Sequence, residues 1–202
     1  MAKKDTTTEA PKKKAGRPAK VKVLDPTFTE APRHEWNSEQ EVALFLASLI
    51  RLTKARSVLE VGVFEGMTTA ELIAALPKGG LFIGIDIKDY ITPENKAKMK
   101  AATDRGVVVD FFLENSLSKM KDLPKNHFDI IFIDGNHEHS HVLAEFKLAE
   151  KLITQNGIIA FHDSIHLDDV KRVVEYAGQW KYKFVNLNTP EGRGLALVMK
   201  GN

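Results

Sequence analysis

The chain of 202 residues contains no cysteine. Disulfides, a thiolate nucleophile and a cysteine-bound zinc site are therefore excluded, and a reducing compartment fits. No apolar run approaches the roughly 18 residues of a membrane span, and the N-terminus lacks the apolar stretch of a signal peptide. The expectation is a soluble, cytoplasmic protein with no membrane partner. A strong net charge is also missing, the total being only +2. The charge is unevenly spread, since residues 1–22 hold eight basic and two acidic groups and the remainder carries −4.

Residues 1–32 are rich in Lys, Thr, Ala and Pro and have no hydrophobic periodicity. They read as a disordered basic tail, followed by one α/β domain over 33–202. Within the tail, Lys12 to Pro18 looks like an AT-hook core, in which Gly16-Arg17-Pro18 would lie along a narrow minor groove. A weak nucleic-acid contact through residues 1–22 and a merely solvated arm are both open.

Ser57 to Gly66, S-V-L-E-V-G-V-F-E-G, organises the rest. Val58, Leu59, Val61 and Val63 read as a strand covered on both faces. Gly62 and Gly66 bracket a tight loop that carries Glu65, and a helix starts near Met67-Thr68. A strand, a glycine loop and a helix N-terminus in succession cradle nucleotide-like ligands. Asp86 ends the next apolar run, at the distance where an acid grips ribose hydroxyls. The spacing Glu60-x-Gly62-x-x-x-Gly66-x-Thr68 departs from the dinucleotide pattern G-x-G-x-x-G. An acid before the first glycine would repel a pyrophosphate but could accept from an ammonium group. That favours S-adenosylmethionine (SAM), which carries an amino-acid end, a sulfonium and no phosphate.

Ser38 with Glu41 matches a capping box, and Val42, Phe45, Leu46, Leu49 and Thr53 follow at helical spacing. Trp36 either covers the pocket mouth or packs at an edge. Thr92-Pro93 opens a further helix. Val107 to Leu113 reads as strand three, leading to Asn115 and Ser116. Phe128 to Gly135 is strand four and ends in Asp134. A helix with Val142, Leu143, Phe146, Ala149, Leu152 and Ile153 on its buried stripe should stop at Asn156-Gly157. Strand five, Gly157 to Ser164, ends in His162 and Asp163. A last helix is expected with Val170, Val173, Val174 and Ala177 inward. The hairpin 182–187 and 195–199 turns around Thr189 to Gly194.

The stretches 57–69 and 128–164 resemble class I SAM-dependent methyltransferases, in particular the small O-methyltransferases of catechol and caffeoyl-CoA type. The I-D-G-N-H and N-G-I-I-A-F-H-D-S segments are most similar to the cephalosporin-hydroxylase-like and sugar O-methyltransferase branch. The resemblance implies a doubly wound, Rossmann-like seven-stranded sheet, parallel except for an antiparallel terminal hairpin, in the order 3-2-1-4-5-7-6. It implies SAM as methyl donor, with Glu60, Gly62, Glu65, Gly66, Thr68, Asp86, Asn115, Ser116 and Asp134 around it. Asn115 or Ser116 would meet the adenine, or Ser116 would simply cap the following helix. The acceptor would be a hydroxyl on a small molecule or sugar, and a homodimer would be in keeping with the family.

In catechol-type enzymes a divalent metal lowers the acceptor's pKa. The resemblance carries its ligand positions to Asp134, Asp163 and Ser164, with Mg²⁺ or another divalent cation as the ion. Ser164 departs from the family's Asn or Asp and weakens that reading. A second departure is His137, which stands where the family has Lys and would suit general-base work near neutral pH. Asp134 would orient the acceptor or donor, and His162 either lines the acceptor pocket or fills the strand interior. His137, His139 and His141 do not share one helical face, which argues against a three-histidine metal site. Two alternatives stay open: a nucleic-acid-associated methyltransferase guided by the tail, and a non-catalytic nucleotide-binding protein. The missing cysteine and the absence of an Asn/Asp-Pro-Pro-aromatic motif after strand four count against methylation of DNA bases.

Overall fold

The computed structural model describes residues 37–180 and 182–200. The tail, its Gly16-Arg17-Pro18 and Trp36 lie outside them. Seven strands, β1 (Ser57–Val61), β2 (Leu81–Asp86), β3 (Val108–Leu113), β4 (Phe128–Ile133), β5 (Ile153–His162), β6 (Tyr182–Leu187) and β7 (Leu195–Lys200), form one sheet in the order β3-β2-β1-β4-β5-β7-β6. Neighbours among β1 to β5 run parallel. β7 runs antiparallel to both β5 and β6. The fold class and strand order are those the sequence implied.

Strand β1 is buried at all five residues because helices cover both faces of the sheet. Alternation along the strands sends successive side chains to opposite cores. Val58, Phe82, Ile130 and Phe132 pack under α1 (Gln40–Thr53), α2 (Met67–Ala75) and α3 (Pro93–Thr103). Leu59, Val61, Ile131 and Phe161 pack under α4 (Ser116–Asp122), α5 (His139–Leu152) and α6 (Asp168–Trp180). Phe146 of α5 is 1% exposed and stacks at a tilt against Phe161, with ring centroids 5.9 Å apart. Truncating such a core phenylalanine to alanine costs about 3–5 kcal/mol. None of the helices among the described residues is long and apolar enough to cross a membrane.

Three local expectations are corrected. Helix α1 starts without a capping box: Glu39 is its N-cap, no side chain caps it, and the Ser38 hydroxyl is turned to Asp134 instead. Its buried stripe is Val42, Ala43, Leu46, Ala47 and Ile50, with Phe45 left 38% exposed. Helix α5 ends at Leu152 rather than at Asn156-Gly157. The reason is strand pairing: Ile153 already lies opposite Phe128, and a register shift then brings Ile158 opposite Ile130. The α3 start is as expected, with Thr92 Oγ1 accepting from the Asn95 amide at 3.2 Å and Pro93 at the first helical position.

Candidate active site

The carboxyl ends of β1 to β5 open into a cavity of about 830 Å³. At its β1–β2 side the chain turns out of the sheet at Gly62, where φ is +88°. A Cβ there would lie 2.1 Å from the Asp134 carbonyl oxygen, so only glycine lets this loop pass over the end of β4. Asp86 fixes the loop: its Oδ2 accepts from the backbone amides of Val63 at 2.9 Å and Phe64 at 2.8 Å. Its Oδ1 receives a long contact, 3.4 Å, from the Lys88 amide, and the residue lines the cavity. Phe64 and Tyr90 pack 5.5 Å apart on the same wall.

Among the residues expected to hold the nucleoside, Gly62, Asp86, Asn115, Ser116 and Asp134 line the cavity, and Glu60, Glu65, Gly66 and Thr68 do not. Glu60 lies under the loop, 1% exposed, hydrogen-bonded to the Thr69 hydroxyl. Burial pushes its carboxyl well above the usual range, helped by the charges of Asp134 and Asp86. It is a buried partner of α2, poorly placed to accept from a ligand's ammonium group. The Glu65 carboxylate accepts from Asn37 Nδ2 at 2.7 Å. Gly66 is the N-cap of α2 at φ +77°, and a Cβ on it would press on Met99 and Ile91 at 2.8 and 2.9 Å. Thr68 is buried in the first turn of α2.

At the end of β3, Asn115 caps α4, its Oδ1 accepting from the amides of Leu117 and Ser118. The cap is thus Asn115 and not Ser116. The Ser116 hydroxyl donates to Glu145 Oε1 at 2.6 Å, with His141 Nε2 3.1 Å from both oxygens. Glu145 is fully buried, its Oε2 has no partner, and burial raises its pKa.

The β4–β5 side is a buried ionic network. Asp134 Oδ2 accepts from Ser38 Oγ at 2.5 Å, and its Oδ1 lies 3.2 Å from His162 Nδ1. His162 Nε2 reaches Glu39 Oε2 at 2.6 Å, and the other Glu39 oxygen accepts from Thr189. His162 is 1% exposed and does not line the cavity, so of the two places open to it the strand interior is the one observed. Burial opposes its charge, but Asp134 and Asp163 outweigh burial and raise the imidazole to about 10. Reciprocally, against the penalty of burial, the His162 charge and the contacts from His137 and Ser38 hold Asp134 well below the usual carboxylate range.

His137 lies on the cavity wall, its Nε2 3.5 Å from Asp134 Oδ1 and 3.4 Å from Asp163 Oδ2. Asp134 and Asp163 raise its pKa above 6.5 against partial burial. Asp163 sits at φ +57°, just past β5. Both its oxygens are held by Arg193, Oδ1 by Nε at 2.7 Å and Oδ2 by Nη2 at 2.9 Å.

The fit to a divalent cation can be read from these donors. Asp134, His162 and Asp163 place ligand-type atoms within 4.8 Å of one another. Caffeoyl-CoA-type O-methyltransferases are often divalent-cation dependent, which makes such an ion the one to test. The donors of this chain do not fit it as folded. Ser164 is turned away, its Oγ donating to Asn186 Oδ1 at 2.7 Å, so the expected set Asp134, Asp163 and Ser164 is not assembled. Both ring nitrogens of His162 are already spent on the carboxylates of Asp134 and Glu39, and the Asp134 and Asp163 oxygens already hold protein donors.

Sequence reasoning missed Ser38 and Glu39 as parts of this network, and Arg193 as the partner of Asp163. Ser38-Glu39 looked like a helix start. Arg193 looked like turn filler, although its place between Gly192 and Gly194 was visible.

Comparison with known proteins agrees with this geometry. The family described as "Methyltransferase domain" matches residues 59–164. The chain belongs to this methyltransferase family. Caffeoyl-CoA O-methyltransferase 1 of Zea mays is 28% identical over 144 residues, covering 66% of this chain and 54% of that protein. The flavonoid 3',5'-methyltransferase of Vitis vinifera is 25% identical over 151 residues, covering 69% and 60%. The chain thus spans a little over half the length of these two curated relatives. Among solved structures, the O-methyltransferase TomG from Streptomyces achromogenes, in complex with SAM, superposes with a TM-score of 0.68. It is 19% identical, covering 83% of this chain and 82% of that one. The O-methyltransferase from Bacillus cereus, in complex with SAH, gives a TM-score of 0.61 at 19% identity, with 83% and 84% covered. These two likenesses establish the methyltransferase fold.

Proposed function

We propose that the protein transfers the methyl group of SAM to a hydroxyl oxygen of a small molecule. The observation that carries this reading is the single cavity that holds both Asp86, a ribose-binding carboxylate by position, and His137, a base by chemistry. Its volume of about 830 Å³ is in the range of ligand pockets of about 300–1,000 Å³. Membership of the methyltransferase family supports SAM as the donor. Asp86 Oδ1 would receive the ribose hydroxyls, while Asn115 and Ser116 stand where the adenine would lie.

When bound, SAM supplies an electrophilic methyl on a sulfonium. The acceptor oxygen attacks that carbon in line, the carbon–sulfur bond breaks, and the electron pair stays on sulfur, leaving the neutral thioether S-adenosylhomocysteine and a methyl ether. The hydroxyl proton would pass to the ring nitrogen of His137 that is not turned to the carboxylates, since Nε2 is buried between Asp134 and Asp163. The resulting imidazolium would lie between Asp134 and Asp163, which is why a histidine is a competent base there. Asp134, pinned by Ser38 and His162, positions His137. Holding donor and acceptor in line contributes about 7–11 kcal/mol to such reactions.

Isothermal calorimetry with S-adenosylhomocysteine, and with NADH as control, tests the donor site. Micromolar binding of the first and none of the second is expected. A panel of catechols, hydroxycinnamoyl esters, flavonoids and sugars with methyl-labelled SAM then tests the acceptor class. Label appearing only on amines or nucleic acid would overturn the hydroxyl reading.

A further inference from the structure

We infer that Arg193 stands in for the divalent cation at the floor of the cavity, so that the protein binds no metal there. Three observations converge on it. Arg193 grips both oxygens of Asp163 with a planar fork, Nε to Oδ1 at 2.7 Å and Nη2 to Oδ2 at 2.9 Å. This two-point geometry is the strongest that a carboxylate makes with a side chain, and the guanidinium keeps its charge at any ordinary pH.

The fork is also built in from the backbone. Arg193 lies between Gly192 at φ +79° and Gly194 at φ +92°. A Cβ on Gly194 would lie 2.7 Å from the Ile165 amide nitrogen, so the β6–β7 turn presses directly on the segment after Asp163. The Arg193 carbonyl accepts from the amides of Ile165 and His166, both at 3.0 Å, and its Nη1 donates to the Asn37 carbonyl at 2.8 Å. One residue thus joins three segments around Asp163.

Finally, the third ligand is gone, since Ser164 is committed to Asn186 through both its hydroxyl and its carbonyl. A small hard cation needs near-octahedral oxygens at about 2.0–2.1 Å. Here it would have to expel Arg193 or be buried beside it, like charge against like. Charge neutralisation by the chain fits these donors better. The inference concerns metal binding and stands whether or not the methyl-transfer reading holds.

The test is Mn²⁺ titration of the full chain, followed by electron paramagnetic resonance and calorimetry, with Mg²⁺ as competitor. The wild type is expected to show no site tighter than millimolar. Arg193→Gln, which frees the Asp163 carboxylate, is expected to gain one Mn²⁺ site at least tenfold tighter, and Arg193→Gln with Asp163→Asn to lose it again. One micromolar site in the wild type, abolished by Asp163→Asn, would overturn the inference. So would a folded Arg193→Gln variant that gains no binding. Should that variant fail to fold by circular dichroism, Arg193→Met replaces it; it removes charge and fork together while keeping a long side chain, is expected to gain the same site, and no gain counts against the inference. S-adenosylhomocysteine binding measured on the same samples reports separately on the donor reading.

Discussion

The two ends of the cavity are built in opposite ways. The proposed donor end is local: β1, the Gly62–Gly66 loop and β2 are joined by backbone hydrogen bonds and by the Asp86 carboxylate on the loop amides. The acceptor end is gathered from distant segments, Ser38-Glu39, Asp134 with His137, His162-Asp163, Thr189 and Arg193, and is held by buried charges. The donor end is fixed by short-range hydrogen bonds to backbone amides. The acceptor end depends on each charge keeping its partner, because an unpaired charge in a dry interior is costly. Changes at the two ends should therefore fail differently, one in affinity and the other in turnover or stability.

The largest expected effect separates binding from chemistry. His137→Ala should lower kcat by about 10²–10⁴-fold, the range supplied by a positioned acid or base. S-adenosylhomocysteine affinity, measured by calorimetry, should stay within about threefold. Asp134 and Asp163 raise the His137 pKa above 6.5, so the imidazole is free to take a proton only at higher pH. Turnover in the wild type should accordingly rise with pH through an apparent value above 6.5, and the variant should lose that limb. Loss of cofactor affinity in the variant, in proportion to turnover, would merge the two ends into one site.

The buried network gives the next effect. Glu39→Ala removes one partner of an ion pair that is 1% exposed or less on both sides, and breaking such a pair costs about 3–5 kcal/mol. The pH profile carries a sign. His162 is raised from 6.5 to about 10 by folding, so its stabilisation is complete below 6.5 and is lost as pH rises through about 10. Asp134 is lowered from 3.8, so its share is present above 3.8 and lost as pH falls through the lower folded value. The contributions of these two groups to urea unfolding should be level between those limits, with an alkaline decline missing from His162→Gln. A third, smaller effect belongs to the donor end. Asp86→Ala should weaken S-adenosylhomocysteine by about 10–100-fold, since a hydrogen bond to a charged group contributes about 1.5–3 kcal/mol. Unfolding free energy should change less than in Glu39→Ala.

The contrast between the ends also explains what was legible in the sequence. β1, its glycine loop and Asp86 could be read because their residues are contiguous and their periods short. The strand order followed from the family resemblance once Phe128 to Asp134 and the terminal hairpin were in view. The boundary of α5 was misplaced because Ile153 satisfies a helical stripe and a strand register equally, and only its pairing with Phe128 decides. Glu60 matched the motif by spacing, but its side chain turns inward to Thr69. Arg193 could not be assigned because its partner lies 30 residues away, on another strand end. Burial of a charge is a tertiary fact, and nothing in a local window announces it.

Glu145 sharpens the comparison at its weakest point. Like Glu60, it is a buried carboxyl on the donor side that accepts from a hydroxyl, yet its Oε2 has no partner. Burial raises its pKa above 4.5, so the folded chain binds this proton more tightly than the unfolded chain does. Its contribution therefore declines as pH rises from 4.5 through the folded value. Glu145→Gln keeps an acceptor for the Ser116 hydroxyl and removes the charge. Its stability at pH 7 should lie within about 1 kcal/mol of wild type, with that decline removed from the urea profile. A loss of the size expected for Glu39→Ala would mean that Glu145 is a paired charge after all, and that both ends of the cavity are held by ionic networks.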